Sequence, residues 1–353
     1  MELSLDILRN DTFSYVNLQR VAGNTTYVPQ MLGQMAIFDP EPIVGEIVHL
    51  YEEDSVIRLV PTTERGTPDV RLIPDVGRLR ALRTTRLAQV TSVRAAELMG
   101  IANVNLPETI RERNAVNLLT KRTQKMKSNL EMTKELHRFG AIQGKLLDAD
   151  GTTVIANFFD LFGLSDAVLV DVDFPNIPEA ALLQYFQDTF LRPITIALQD
   201  GGRATPNMYL GALCGDLWWS ALMKHPGFQL AYRLMLQANG NPEARAQLTT
   251  PNMWNVVDFA GVRWINYMGT RTSDIAVPLT ECRFFPIGAS DVFKSYWGSG
   301  ETLEDVLEPG RPEYLYLRPD VRAHPEFMDA FLRAYPLYAC IFPKALMRAR
   351  IKP

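Results

Sequence analysis

The residues in this chain that could do chemistry stand at spacings that deny them partners. Gly140-Ala141-Ile142-Gln143-Gly144-Lys145 approaches a phosphate-binding loop, which needs four residues between its glycines and a Ser or Thr after the lysine to hold magnesium. Here three residues separate the glycines, Leu146 follows the lysine, and the segment ends a helical pattern instead of opening one. Gly140 therefore reads as a helix stop ahead of a strand. Asp148-Ala149-Asp150-Gly151 begins like a calcium loop, but Phe159 occupies the position that must supply a bidentate Glu; it reads as a turn. Gly298-Ser299-Gly300-Glu301-Thr302-Leu303 ends on Leu where a dinucleotide fingerprint needs Gly or Ala, and no buried strand leads into it. Asp171 and Asp173 could approach a divalent metal, although a solvated strand end explains their alternation more simply. His49, His137, His225 and His324 have no ligand-like spacing, and no Gly-x-Ser-x-Gly or Cys/His nucleophile signature occurs. Cys214, Cys282 and Cys340 are far apart and odd in number, which suits neither a disulfide framework nor a ligand cluster, and implies a reducing compartment. No catalytic site, metal or cofactor is expected, and Trp218-Trp219 reads as core.

The elements that would position any site are those of a globular protein. The chain has 353 residues, 47% hydrophobic and 22% charged, enough for two domains or one extended subunit. No apolar run is long enough to span a membrane, and the start lacks the basic and apolar regions of a signal peptide, so a soluble, non-secreted protein is expected. A formal charge of −4 excludes a uniformly basic nucleic-acid coat. The charge is segregated, however: Arg78 to Lys145 holds 14 Lys/Arg and 5 Asp/Glu, a balance of +9, leaving 22 against 35, or −13, elsewhere. Such a segment could be a solvated face, bind nucleic acid, or pair with acidic surface on another copy.

Residues 1–44 are punctuated by Gly23, Pro29, Gly33, Pro40 and Pro42 and read as an arm. From Gly45 a strand pattern begins (Ile47, Val48, Tyr51, then 56–60), followed by a turn-rich tip at 61–68 and a return through 70–73, a long hairpin with little beneath it. Arg78, Arg80, Arg83 and Arg86 follow, interleaved with leucines. Pro107 opens a helical signal running to about 139 before Gly140, roughly 48 Å of helix at ~1.5 Å per residue, with one sparse apolar stripe. Asp150-Gly151 marks a hairpin. Helices are expected at 178–191, at 206–224 capped by Thr205, and at 228–238; strands at 254–258 and 262–267 divided by Ala260-Gly261; and extended chain at 282–286 and 335–343.

Taken in order, several segments resemble the major capsid proteins of lambda-like tailed phages, the phage major capsid protein E family. The resemblance is carried by Trp264-Ile265-Asn266-Tyr267-Met268-Gly269, Phe284-Phe285-Pro286-Ile287-Gly288 with Phe293 and Tyr296, Tyr314-Leu315-Tyr316, and Pro336-Leu337-Tyr338-Ala339-Cys340-Ile341-Phe342-Pro343. Phe38 and the tip around Arg58-Leu59-Val60-Pro61 and Glu64-Arg65-Gly66 add to it, so that residues 13–345 are covered. Trp297-Gly298-Ser299-Gly300 departs from the family, which would place a Pro-containing turn there. Each motif is short; their order and spacing carry the likeness.

The resemblance implies an α+β Hong Kong 97-type capsid fold: an N-terminal arm (1–44), an extended loop (45–90), a peripheral domain (91–165) whose spine helix spans 107–139, an axial domain (166–300) and returning C-terminal strands (301–353). It implies a non-enzymatic major capsid protein that self-assembles as pentamers and hexamers into an icosahedral head enclosing double-stranded DNA. Portal and scaffolding proteins, and a decoration protein, are the implied partners. The implied locations are the virion head and, during assembly, the bacterial host cytoplasm. Rival readings are a tail-tube or decoration protein, or an enzyme with an unrecognised site. Within the capsid reading Arg78, Arg80, Arg83 and Arg86 are expected to contact a neighbouring subunit. Lys121, Arg122 and Lys125, with Lys127 offset by Glu131, are expected to face packaged DNA.

Overall fold

The computed structural model describes residues 31–52, 78–94, 97, 108–231, 256–267, 277–303, 305–311, 316–320 and 327–352. The hairpin tip, His324, the Tyr314-Leu315 pair and most of the expected helix at 228–238 lie outside these residues; that helix is described from 226 to 231. The described residues divide into two compact units, one from Met1–Val48, Leu82–Glu135 and Ser295–Tyr338, the other from His49–Ala81, Leu136–Lys294 and Ala339–Pro353.

Residues 31–42 are not featureless. Met31–Gln34 makes one helical turn, α1, burying Met31 and Leu32, and Asp39–Pro42 forms strand β1. The free N–H groups at the start of α1 find an acceptor in buried Glu135, which takes Leu32 N at 2.9 Å and Gly33 N at 3.2 Å. Strands β2 (Ile47–Glu52) and β3 (Arg78–Arg83) pair as a two-stranded sheet, and β4 (Leu87–Arg94) follows.

The long helix α2 runs Glu108–Gln143, past the expected stop at Gly140. Glycine is required at 140 by packing, because a Cβ there would sit 2.8 Å from Lys145 O. The residue that ends the helix is Gly144, whose φ of +81° is the left-handed conformation that caps helices. Up to Leu130 the buried residues of α2 recur as one stripe at helical spacing, Thr123, Met126 and Leu130, but from Lys134 to Ile142 every residue is buried, so the expected single stripe holds only for the earlier part of the helix. Part of the buried surface is charged. Fully buried Lys134 donates to Glu131 at 2.8 Å, so Glu131 is held in a buried pair with Lys134, a role the expected Lys127 pairing does not describe. The Lys134 ammonium also lies 5.1 Å from the centre of the Trp297 ring.

Strands β5 (Lys145–Leu147) and β6 (Val154–Asn157) form the hairpin signalled by Asp150-Gly151, and Gly151 takes φ +70°. After α3 (Phe158–Leu161) and β7 (Val168–Val172), a 3-10 turn at Glu179–Ala181 leads into a helical run: α4 (Leu182–Phe186), a π turn (Gln187–Leu191) and α5 (Arg192–Asp200). The helix was expected to stop at Leu191. It continues through Pro193 because the wide π turn relieves the clash between a proline ring and the carbonyl one turn back.

Residues 206–214, expected to be helical, form a turn at 206–207 and then extended chain instead. Tyr209–Cys214 is strand β8, buried along nearly its whole length. As an inner strand of the sheet it buries this apolar run on both faces. Gly211 lets the strand pass Phe285 and Ile287, whose side chains would lie within 2.8 Å of any Cβ there. The Thr205 hydroxyl donates to Gly288 O at 2.6 Å and caps nothing. The helix of this region is shorter, α6 (Asp216–Lys224).

Next come β9 (Val256–Phe259) and β10 (Val262–Asn266), turned by Ala260 and Gly261 at positive φ, then β11 (Glu281–Ile287), β12 (Phe293–Trp297), β13 (Tyr316–Asp320), β14 (Phe327–Ala334), β15 (Pro336–Cys340) and β16 (Met347–Ile351). In the first unit β13, β14 and β4 make an antiparallel sheet, with β14 and β4 paired from Phe327↔Arg94 to Ala334↔Leu87. Arg122 and Asn129, two turns apart on α2, reach Ser92 O and the Gln89 side chain on β4. The second unit is built on a six-stranded mixed sheet, β7-β16-β11-β8-β10-β9. Over it lies an aromatic core in which Phe190 stacks on Phe284 at 4.1 Å, Phe186 meets Trp264 edge-on at 4.8 Å, and Phe174 meets Trp218 at 5.1 Å. Of the Trp218-Trp219 pair expected in the core, Trp218 is fully buried and Trp219 only partly so.

Candidate assembly interface

The four hairpin arginines fall on one short stretch but meet different surroundings. Arg78, Arg80 and Arg83 belong to β3; Arg80 is half-buried with its guanidinium 5.4 Å from the Phe162 ring centre, and Arg83 is exposed. Arg86, in the turn before β4, has a partner inside its own chain. Its guanidinium bonds the Glu301 carboxylate, whose other oxygen accepts from Arg333 at 3.2 Å. That bond to Glu301 is the main reason the Arg86 guanidinium holds its proton more tightly than usual. Leu79, between two arginines, is 65% exposed, and Val44 and Ile47, ahead of and on β2, are also open to solvent.

Beyond Glu301 the chain makes a turn that holds apolar side chains outward. Asp305 N and Val306 N both donate to Thr302 O, and Gly310 N donates to Ile43 O at 3.0 Å. Leu303 is 95% exposed and Leu307 81%. Both leucines thus stand in solvent on a turn fixed by its own hydrogen bonds.

The basic residues of α2 also separate. Lys121 and Lys125, one turn apart, share an exposed face, whereas Arg122 is tied to Glu97 at 2.8 Å and to Ser92 O. The sequence reading did not foresee these partners for Arg86 and Arg122, because both pairings cross long sequence separations.

Residues considered for chemistry serve structure instead. Asp171 and Asp173 pair with Arg350 and Lys352 on or beside the neighbouring strand β16, at 2.9 and 3.2 Å. His225 accepts from Gly227 N at Nδ1 and reaches Ile177 O through Nε2, each at 3.1 Å, a clamp between loops. His137 is buried with both ring nitrogens unbonded, and its burial lowers its pKa to about 4. Burial pushes the Cys340 thiol up to about 12. Among the described residues no group of His, Cys, Asp and Glu is arranged to hold a metal, and no helix is long and apolar enough to cross a membrane.

No curated protein matches the sequence. Among solved structures, the putative capsid protein of a prophage of E. coli CFT073 shares 10% identity, with 97% of this chain and 98% of that chain covered at a TM-score of 0.55. The capsid asymmetric unit of cyanophage A-1(L) is 11% identical, covering 93% and 94% of the two chains at 0.49. The procapsid of satellite phage P4 is 10% identical, covering 98% and 91% at 0.44. At these identities the prophage protein speaks for the fold, an α+β capsid fold of the Hong Kong 97 type. A family model described as phage major capsid protein E matches residues 14–351. Matched over nearly its whole length, the chain belongs to the phage major capsid protein E family, the shell-forming proteins of phage heads.

Proposed function

We propose that copies of this chain assemble as pentamers and hexamers into the icosahedral head that encloses a phage's double-stranded DNA, in the cytoplasm of the bacterial host. In this reading residues 1–44 serve as the arm, 45–90 as the extended loop, 91–165 as the peripheral domain, 166–300 as the axial domain and 301–353 as returning strands. Portal and scaffolding proteins would act during assembly, a decoration protein could be added afterwards, and the chain would catalyse nothing. The observation that carries the reading is the near-complete exposure of Leu303 and Leu307 on a fixed turn, together with a two-stranded β2–β3 sheet that carries exposed Leu79. A two-stranded sheet is marginal alone in water, so a neighbouring subunit is its natural support.

Within that reading Arg78, Arg80 and Arg83 face a neighbouring subunit while Arg86 braces its own chain through Glu301. Lys121 and Lys125 are the residues best exposed to meet packaged DNA, by a contact that depends on charge and not on sequence. Electron microscopy of the purified protein, with size-exclusion chromatography beside it, is the test. Closed shells or capsomers support the proposal, open tubes favour a tail protein, and a monodisperse monomer under all assembly conditions overturns it.

A further inference from the structure

Cys214 and Cys282, judged unrelated from their separation in sequence, stand directly opposite one another on β8 and β11. Gly215 N donates to Glu281 O at 2.9 Å, so the ladder bonds flank the cysteine pair instead of joining it. That makes the pair a narrow site of an antiparallel ladder, where opposed Cα atoms lie about 4.5 Å apart and side chains are closest, within the ~4.4–6.8 Å that a disulfide spans. The two sulfurs are 3.5 Å apart, both residues are fully buried, and both are free thiols.

We propose that Cys214 and Cys282 form a latent cross-strand disulfide, closed within one subunit when the protein meets a low-molecular-weight disulfide such as oxidised glutathione. The proposal concerns the subunit itself and holds whether or not shells form. One cysteine, deprotonated, attacks the glutathione disulfide and expels one glutathione thiolate, leaving a mixed disulfide. The other cysteine, deprotonated in turn, attacks the protein sulfur of that mixed bond and expels the second. Two protein thiols are oxidised, one glutathione disulfide is reduced to two glutathiones, and the two cysteine protons go to the departing thiolates. Burial, then the neighbouring Cys214 thiol, raises the Cys282 pKa well above its ordinary value, so the closed sheet is slow to react. Reaction runs through opened sheet or newly folding chain. A glutathione adduct has no room at a site with no solvent exposure, whereas the disulfide needs less space than two thiols in contact, so closing of the sheet selects the second step. The bond would tie two inner strands of the six-stranded sheet across the 214–282 segment. Cys340, on β15 in a different sheet, would stay a thiol.

The test is incubation of the purified full chain with oxidised glutathione, natively and at urea concentrations just below the unfolding transition, then denaturation, alkylation of remaining thiols and peptide mass spectrometry. Expected is one linked peptide joining Cys214 to Cys282, lighter by two hydrogens, with Cys340 alkylated and the link undone by dithiothreitol. Cys340→Ala should form it and Cys282→Ala should not. Three alkylated thiols under both conditions, stable glutathione adducts at Cys214 or Cys282, or links made chiefly between chains would each overturn the proposal; the wild-type result decides even if a variant fails to fold.

Discussion

His137 sits on α2 with both ring nitrogens buried and unbonded, and desolvation, only partly opposed by the charge of Asp148, brings its pKa from 6.5 to about 4. The sign of its linkage follows. Above pH 6.5 the ring is neutral in folded and unfolded chains alike and costs nothing further. As pH falls through that value the unfolded chain takes up a proton that the folded chain refuses, so stability drops until the folded ring titrates near pH 4. The loss over that window is about 3 kcal/mol. Urea unfolding of the unassembled subunit should show it as a midpoint that falls between pH 6.5 and pH 4. His137→Leu, which buries no polar nitrogen, should flatten this part of the profile and exceed the wild type at its acid end; an unchanged slope would show that other groups govern it. Nothing in the sequence marked His137 out from His225, whose ring is fully used between Ile177 and Gly227. Histidine spacing could exclude a metal site; it could not show which ring is buried without a partner.

At the scale of elements, local signals were legible wherever they decided local structure. Pro107 and the absence of breakers gave the long helix, Asp150-Gly151 gave the β5–β6 hairpin, and Ala260-Gly261 gave the β9–β10 turn. The failures share a cause. Tyr209–Cys214 has a composition that suits either a buried helix or a buried strand, and only its position between β10 and β11 decides the matter. The helix expected to end at Leu191 runs on to Asp200, because a π turn leaves no mark in composition. Gly140 and Gly144 exchanged roles because one glycine answers to tertiary packing and the other to backbone angle. That distinction can be measured. Gly144→Ala must place a left-handed alanine whose Cβ lies 2.2 Å from the ring of buried Phe159, so a cost of about 3 kcal/mol or more is expected. Gly151→Ala has a similar positive φ but open space around the Cβ, so about 1 kcal/mol is expected. Equal losses in chemical denaturation would mean that the Phe159 ring moves aside and only the backbone angle counts.

The whole molecule carries its charge unevenly, and assembly and genome packaging would draw on different parts of it. The basic stretch from Arg78 to Lys145 was visible in the sequence, and so was the family; that Arg86 and Arg122 are paired within the subunit was not, because Arg86–Glu301 and Arg122–Glu97 are closed only by folding. These two arginines should be left in place in any test, since reversing them would break bonds within the subunit and confuse instability with a lost interface. Arg80, whose guanidinium lies over the Phe162 ring of its own chain, is left in place for the same reason, so the informative changes are Arg78 with Arg83 to Glu as one group and Lys121 with Lys125 to Glu as another. A single exposed pair contributes only ~0–1 kcal/mol, so single substitutions should pass unnoticed while a group repeated at every contact of a shell should not. The arginine group should prevent shells and leave soluble subunits whose unfolding midpoint is unchanged. The lysine group should give shells of normal size that retain less DNA, with the deficit largest at low salt and narrowing as salt is raised, because the variant neutralises fewer phosphates and so has the shallower salt dependence. If instead the arginine group assembles normally and the lysine group does not, α2 is the face that meets neighbouring subunits, and β3 is the better candidate to face the DNA.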